Sequence, residues 1–302
     1  MVKKPWPLES ESLTKVIKKH GPMETYYFDE TDPAEELDVN TGDITSEETD
    51  EAIKCLRSKK APGLDGIQAE LLKEGGRTMI EVLTKLFNRC WNQEEVPEDW
   101  KKGVIVRLPK KGNLSECGNW RGTLLSVPGK TFCLILLRRL QNAINKCLRE
   151  EQAGSRSGRS CTEQIFTLRN IVEQCMEYHH PLFVNFIDFK KAFDSIHRDS
   201  LWKILRIYGI PSRFISIFKI LYLNSSCCVR TNNGHTHFFE ITTAVRQGCI
   251  LSPFLFNICL DFVMRRAMRQ TETGLSWYNE ERLADSDFAD DIALLAQDEG
   301  KL

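Results

Sequence analysis

Two apolar strand-like runs in this sequence meet carboxylates at their ends, and no other feature constrains the fold as tightly. The run Leu182-Phe183-Val184-Asn185-Phe186-Ile187 ends at Asp188, and Ile292-Ala293-Leu294-Leu295-Ala296 begins directly after Asp290-Asp291. The first run is dense enough to predict a strand buried on both faces. Side chains alternate along a strand, so Asp188 continues the face of Leu182, Val184 and Phe186. Adjacent carboxylates beside apolar strands repel each other and lose hydration, which is unfavourable unless a cation fills the site. A solvated turn is the other reading of Asp290-Asp291, because Asp is common in turns. Asp188, at the end of a neighbouring strand, weighs toward the cation. Three carboxylates from two strands can hold hard divalent ions, and Mg²⁺ bridges carboxylates to substrate phosphates. Two such ions about 4 Å apart suit in-line phosphoryl transfer.

Helix and strand signals mix around these runs. Thr45-x-x-Glu48 predicts a capping box before a helix with Ala52, Ile53 and Leu56 on one face. Pro62, Gly63 and Gly66 stop it. Helical patterns follow at 67–74, 78–92, 127–148 and 161–178, with a short strand at 104–108. Asp199 is suited to cap a helix carrying Leu201, Ile204, Leu205 and Tyr208, ended by Gly209 and Pro211. A strand, an Asn233-Gly234 turn and a second strand follow as a hairpin. Ser252-Pro253 opens the next helix as N-cap and first residue, and Arg265, Arg266 and Arg269 sit where its dipole favours cations. Strand pairs and helices in this order indicate α+β rather than alternating βαβ.

Composition excludes several classes. The 41% hydrophobic content rules out a wholly disordered chain. No stretch approaches the roughly 20 apolar residues of a membrane span. The first residues, Met1-Val2-Lys3-Lys4-Pro5-Trp6, lack the apolar core of a secretory signal. Eleven scattered cysteines read as small buried hydrophobes in a reducing compartment. His235 and His237 near Cys227 and Cys228 are the nearest approach to a zinc cluster, and alternation on a hairpin explains them as well. Residues 1–52 hold 5 lysines against 14 carboxylates, a net charge of −9, and the remaining 250 residues carry +8. A mildly basic body behind an acidic leader is compatible with a polyanionic partner.

Phe186-Ile187-Asp188-Phe189-Lys190-Lys191-Ala192-Phe193-Asp194, Arg246-Gln247-Gly248-Cys249-Ile250-Leu251-Ser252-Pro253 and Phe288-Ala289-Asp290-Asp291 resemble motifs A, B and C of reverse transcriptases. The version is similar to that of non-LTR (LINE-type) retrotransposons. Lys60-Ala61-Pro62-Gly63-Leu64-Asp65-Gly66-Ile67, Asn119-Trp120-Arg121-Gly122 and Gln152-Ala153-Gly154-Ser155-Arg156 resemble upstream motifs of the same family. The resemblance runs from about residue 48 to the end. It implies an α+β right-hand fingers and palm with an antiparallel palm sheet. An acidic, largely flexible flank would cover 1–47, fingers 48–180 and palm 181–302. The thumb would be absent, since the chain stops eleven residues after Asp291.

The resemblance also assigns roles. Asp188, Asp290 and Asp291 would be the catalytic, metal-binding carboxylates, holding two Mg²⁺ ions for which Mn²⁺ could substitute. Phe193 would lie under the incoming sugar and select deoxynucleotides, with Phe189 beside the nucleotide. Gln247 and Gly248 would pack on the nucleotide and template base. Arg121, with Lys110 or Lys111, would clamp the triphosphate; a solvated loop explains the lysines equally. Asp65 and Asp194 read as structural, and Asp285 and Asp287 as metal-assisting or solvent-facing. The partners would be an RNA template, a DNA primer and dNTPs, with no membrane. The compartment would be intracellular, nucleus or cytoplasm, without an evident targeting signal. Two departures stand out: Gly122-Thr123-Leu124-Leu125-Ser126 is one residue shorter than the family pattern, and Ser155 replaces an aromatic residue. They motivate the competing expectation of an inactive, truncated remnant that only binds nucleic acid or protein.

Overall fold

A computed structural model describes residues 35–109, 120–189, 192–242, 245–268, 274–276 and 282–298. Residues 1–34 of the expected flank, Lys110, Lys111, Asn119, Lys190, Lys191 and Arg269 lie outside them. The described strands are β1 (Lys102–Pro109), β2 (Trp120–Leu124), β3 (Phe183–Asp188), β4 (Ser226–Thr231) and β5 (Gly234–His235). They continue with β6 (Phe239–Glu240), β7 (Leu275–Ser276), β8 (Arg282–Leu283), β9 (Asp285–Phe288) and β10 (Asp291–Ala296). The fold is α+β, as the mixed sequence signals require, and all strand pairs but β1 with β4 are antiparallel.

The chain divides into two compact units. One includes Asn145–Ile204 and Pro253–Leu302, the other Pro33–Ile144 and Leu205–Ser252. In the second, β2, β1, β4 and β5 lie in that order, with β6 also on β4. Thr45 caps the helix Ser46–Lys54 through the expected box: its hydroxyl accepts from the Glu48 N–H at 3.2 Å, and the Glu48 carboxylate accepts from the Thr45 N–H at 2.9 Å. The amphipathic helix Gly76–Gln93 brings Phe87 and Trp91 inward, where Phe87 packs on Phe132 and Trp91 on Phe214. Residues 41–44 are tied to the same helix, since Asn88 exchanges two hydrogen bonds with the Ile44 backbone. Asp65 is a turn residue, its carboxylate accepting from the Ile67 N–H.

Two local expectations need correction here. The helix Ser212–Tyr222 begins directly after Pro211, where the sequence signals placed a strand next. Phe214, Ile215, Phe218, Leu221 and Tyr222 recur at helical spacing and are all buried, so packing overrides their strand propensity. The hairpin turn falls on Asn232-Asn233, because Thr231 pairs with Gly234 across β4 and β5. Cys227 and Cys228 are buried in β4 while His235 is exposed on β5.

The first unit carries a three-stranded sheet in the order β3-β10-β9. Ile292 through Ala296 fill the central strand and are all buried. Ile171, from the helix Cys161–Glu177, packs with Leu275 and Leu295 against one face of that sheet. β3 is not buried on both faces as its apolar run predicts. It is an edge strand of the described sheet, and Phe186 is 71% exposed. Among the described residues, no helix is long and apolar enough to cross a membrane.

Candidate active site

The sheet of the first unit gathers the three predicted carboxylates at one end. Asp188 is the last residue of β3 and Asp291 the first of β10, and the two are direct partners in the antiparallel ladder. Partners of that kind project to the same face with Cβ atoms about 5 Å apart. Both are exposed. Asp290 is the second residue of the turn joining β9 to β10, since Phe288 pairs with Asp291 and leaves only Ala289 and Asp290 between them. Ala289 takes φ +56, the left-handed conformation that tight hairpin turns demand of their first residue. Side-chain alternation thus sets Asp188 and Asp291, and turn geometry sets Asp290.

These are hard oxygen donors, and like charges on directly opposed residues destabilise a sheet unless a cation intervenes. Among the described residues, no three His, Cys, Asp or Glu side chains form a ready metal cage. Carboxylate oxygens at the rim of one sheet suit a hard divalent cation whose shell is completed by substrate and water.

Asp285 and Asp287 neither face solvent nor join this group. They are 2% and 0% exposed, on β9. Arg149 donates from Nη1 to Asp285 and from Nη2 to Asp287, each at 2.7 Å. Asp261 accepts from the Arg149 backbone N–H at 2.8 Å and from Arg265 Nε at 2.7 Å. Burial, reinforced by Asp285 beside it and opposed by Arg149, pushes the Asp287 carboxyl up to about 8. Among the described residues, its Oδ1 has no hydrogen-bond partner. A proton on Asp287 would lower the charge of a cluster in which three buried carboxylates meet Arg149 and the partly exposed Arg265. Sequence reasoning missed Arg149, because Arg149-Glu150-Glu151 reads as a solvated charge run.

Phe193 lies on the 3₁₀ turn Ala192–Ser195 and stacks on Phe256, with ring centroids 4.3 Å apart and planes 20° from parallel. Phe189, directly after Asp188, is half-buried.

The remaining predicted residues belong to the other unit. Gly248 takes φ +82, and a Cβ there would stand 2.8 Å from the Thr123 carbonyl oxygen, so both conformation and space call for glycine. Gln247 is exposed, its side-chain oxygen accepting from the Thr123 hydroxyl at 3.3 Å. Arg121 sits on β2 opposite Leu108. Arg246 is the residue here whose role the sequence left unread. It is buried, donates to the Leu221 and Trp100 carbonyls at 3.2 and 2.7 Å, and its own carbonyl accepts from the Ser252 hydroxyl at 2.6 Å. It therefore anchors the loop that presents Gln247 and Gly248. The neighbouring Cys133 thiol and the Arg246 charge hold the Cys249 thiol below its ordinary value, against the effect of burial.

The family model for reverse transcriptase (RNA-dependent DNA polymerase) matches residues 108–302, and the chain belongs to that family. The curated relatives it resembles are named as proteins of transposons, retrotransposable elements and mobile elements. It is 28% identical over 257 residues to the transposon TX1 uncharacterized 149 kDa protein of Xenopus laevis, covering 84% of this chain and 20% of that protein. It is 29% identical over 255 residues to the putative 115 kDa protein in type-1 retrotransposable element R1DM of Drosophila melanogaster, covering 83% and 23%. The RNA-directed DNA polymerase from mobile element jockey, also of Drosophila melanogaster, is 26% identical over 259 residues, covering 84% and 27%. The chain thus spans between 20% and 27% of the length of these relatives.

Proposed function

We propose that this chain is the fingers-and-palm part of an RNA-directed DNA polymerase, transferring nucleotides from dNTPs to a primer 3′-hydroxyl on an RNA template. The observation that carries this reading is the direct ladder pairing of Asp188 with Asp291 beside Asp290 in the turn, within a chain of the reverse transcriptase family. Asp188 and Asp290 are the metal-binding carboxylates, and Asp291 assists them. Two Mg²⁺ ions, for which Mn²⁺ substitutes, would supply activation of the 3′-hydroxyl and stabilisation of the leaving pyrophosphate when bound.

The protein's own groups bind and orient. Phe193, braced by Phe256, presents a rigid ring that clashes with a 2′-hydroxyl and so selects deoxynucleotides; Phe189 would lie beside the nucleotide. Gln247 offers donor and acceptor groups to the nucleotide, and Gly248 lets the backbone approach. Arg121 and Lys110 clamp the triphosphate, because cationic side chains stabilise developing phosphate charge. The net charge of +8 over residues 53–302 favours template and primer. Fingers over 48–180, palm over 181–302 and a flank over 1–47 are the functional division we propose; it follows motif order rather than the two compact units. The proposed place of action is intracellular, in nucleus or cytoplasm.

Primer extension on an RNA template, with Mg²⁺ and dNTPs, tests the reading in the 302-residue chain beside Asp290→Ala. Extension lost in the variant supports it. Extension unchanged by Asp290→Ala overturns the site. If neither chain extends the primer, and Mg²⁺–dNTP binds both equally in calorimetry, the inactive remnant replaces it.

A further inference from the structure

The turn carrying Asp290 has a backbone problem that only a distant side chain solves. Ala289 holds φ +56, a conformation that a non-glycine residue keeps only when its surroundings impose it. The β9–β10 ladder pairs Phe288 with Asp291 and passes over the two turn residues between them. Unpaired backbone groups in a part-buried place must find partners.

Gln152 supplies both. Its side-chain Oε1 accepts from the Ala289 N–H at 2.8 Å, and its Nε2 donates to the Ala289 carbonyl at 3.2 Å. The same Oε1 accepts from the Gly154 N–H at 2.8 Å. One carboxamide thus holds the donor and the acceptor of one turn residue together. A carboxylate has no donor to offer, and a thioether of similar length offers no donor and only a weak acceptor. The amide is also neutral, so it fixes the turn without cancelling the charge of the carboxylates beside it.

Gln152 is itself fixed. It is 1% exposed. The Ala153 N–H donates to the Asp287 carbonyl at 2.9 Å, and the Asp287 N–H to the Glu151 carbonyl at 3.0 Å, so Gln152 joins β9 through one parallel bridge. Gly154 then passes so close that a Cβ on it would stand 2.2 Å from the Ala289 nitrogen. Asn257, from the helix Ser252–Met268, donates to the Gly154 carbonyl and holds that approach.

We propose that Gln152 is a positioning residue for the Asp290–Asp291 pair, clamping both backbone polar groups of Ala289 so that the carboxylates stand at a fixed place beside Asp188. The proposal rests on the reading of Asp290 as catalytic. Gln152 is not placed on the reacting atoms; it acts through the turn.

The test uses the 302-residue chain with Gln152→Met, which keeps length and apolar bulk, and Gln152→Asn, which keeps the amide but withdraws it by one methylene. Amide hydrogen exchange reads the clamp without requiring activity. Exchange at Ala289 should accelerate by about tenfold or more in Gln152→Met and by less in Gln152→Asn, with the helix Val127–Cys147 unchanged. Primer extension should show kcat lowered and the half-saturating Mg²⁺ concentration raised severalfold, with the dNTP KM within about twofold. Unchanged exchange at Ala289 in both variants overturns the clamp, as does acceleration spread equally over the helix. Accelerated exchange with kcat and Mg²⁺ dependence unmoved overturns the positioning role. Extension indifferent to Asp290→Ala marks instead a failure of the catalytic reading, so the two failures are distinguishable.

Discussion

Asp188 and Asp291 face each other across the antiparallel ladder between β3 and β10, two exposed carboxylates of which the second opens a strand whose next five residues are all buried. The pairing has opposite consequences for stability and for chemistry. Without a cation, two like charges at directly opposed positions weaken the sheet. With one, they would act as its ligands under the proposed function. Asp188→Asn should therefore raise unfolding stability in chelator by about 0.2–1 kcal/mol. It should also lower primer extension by roughly a hundredfold or more. Added Mg²⁺ should raise the melting temperature of the unsubstituted chain and leave that of Asp188→Asn nearly unmoved. Calorimetry in chelator and in Mg²⁺ checks both halves, and an Mg²⁺ shift of equal size in the two proteins would sink the assignment.

Phe193 should control sugar selection. Phe193→Val removes the ring that Phe256 braces and opens space at the 2′ position. Ribonucleotide incorporation relative to deoxynucleotide should rise by about tenfold or more. Loss of the aromatic stack should cost about 1 kcal/mol of stability. Competition assays with paired nucleotides measure the first effect and urea unfolding the second; an unchanged ratio would leave Phe193 as packing alone.

Gly248→Ala should destabilise its loop for two independent reasons. The backbone is at φ +82, and the new methyl would stand 2.8 Å from the Thr123 carbonyl oxygen. The conformational cost alone is about 1–2 kcal/mol. Because Gln247 bonds the Thr123 side chain, relief by movement displaces Gln247 too. Extension should fall with a raised dNTP KM, measured beside urea unfolding of the same variant.

Asp287 should make stability depend on pH in a direction unusual for a carboxyl. Burial and Asp285 raise it from its ordinary value of 3.8 to about 8, so the folded chain keeps a proton that the unfolded chain releases. The associated stability is fully present below pH 3.8 and is lost as pH rises through about 8. Asp287→Asn mimics the neutral acid, keeps an acceptor for Arg149, and should flatten the decline between about pH 5.5 and 8.5. Urea midpoints across that range decide it; parallel profiles for the two proteins would count against a protonated Asp287.

Much of this was legible in the residues. Thr45 and Glu48 announce their capping box because both partners lie within one helical turn. The apolar residues after Asp291 announce a buried strand, and the motifs around Asp188, Gln247 and Asp290 announce the family through residue identity and order alone. Three elements were not legible, for one reason. The edge position of β3, which exposes Phe186, depends on which strands pair, and no local pattern in β3 records that. The helix after Pro211 is dense in aromatic and β-branched residues, so only its packing separates it from a strand. Asp285 and Asp287 alternate like a solvent-facing strand edge until Arg149 arrives from 136 and 138 residues away.

The sequence by itself determined the family, the α+β composition and the Thr45–Glu48 cap, because each rests on side-chain identity or spacing over a few residues, and it named the three carboxylates on which the proposed function rests. Tertiary structure alone decided that Asp188 stands opposite Asp291, that Arg149 neutralises the buried acids of β9, and that Gln152 reaches Ala289 across 137 residues of chain. Those relationships join groups with no local periodicity in common. Their physical source is the requirement that buried charges and backbone polar groups find partners, and which partners they find is fixed only when the strands pack.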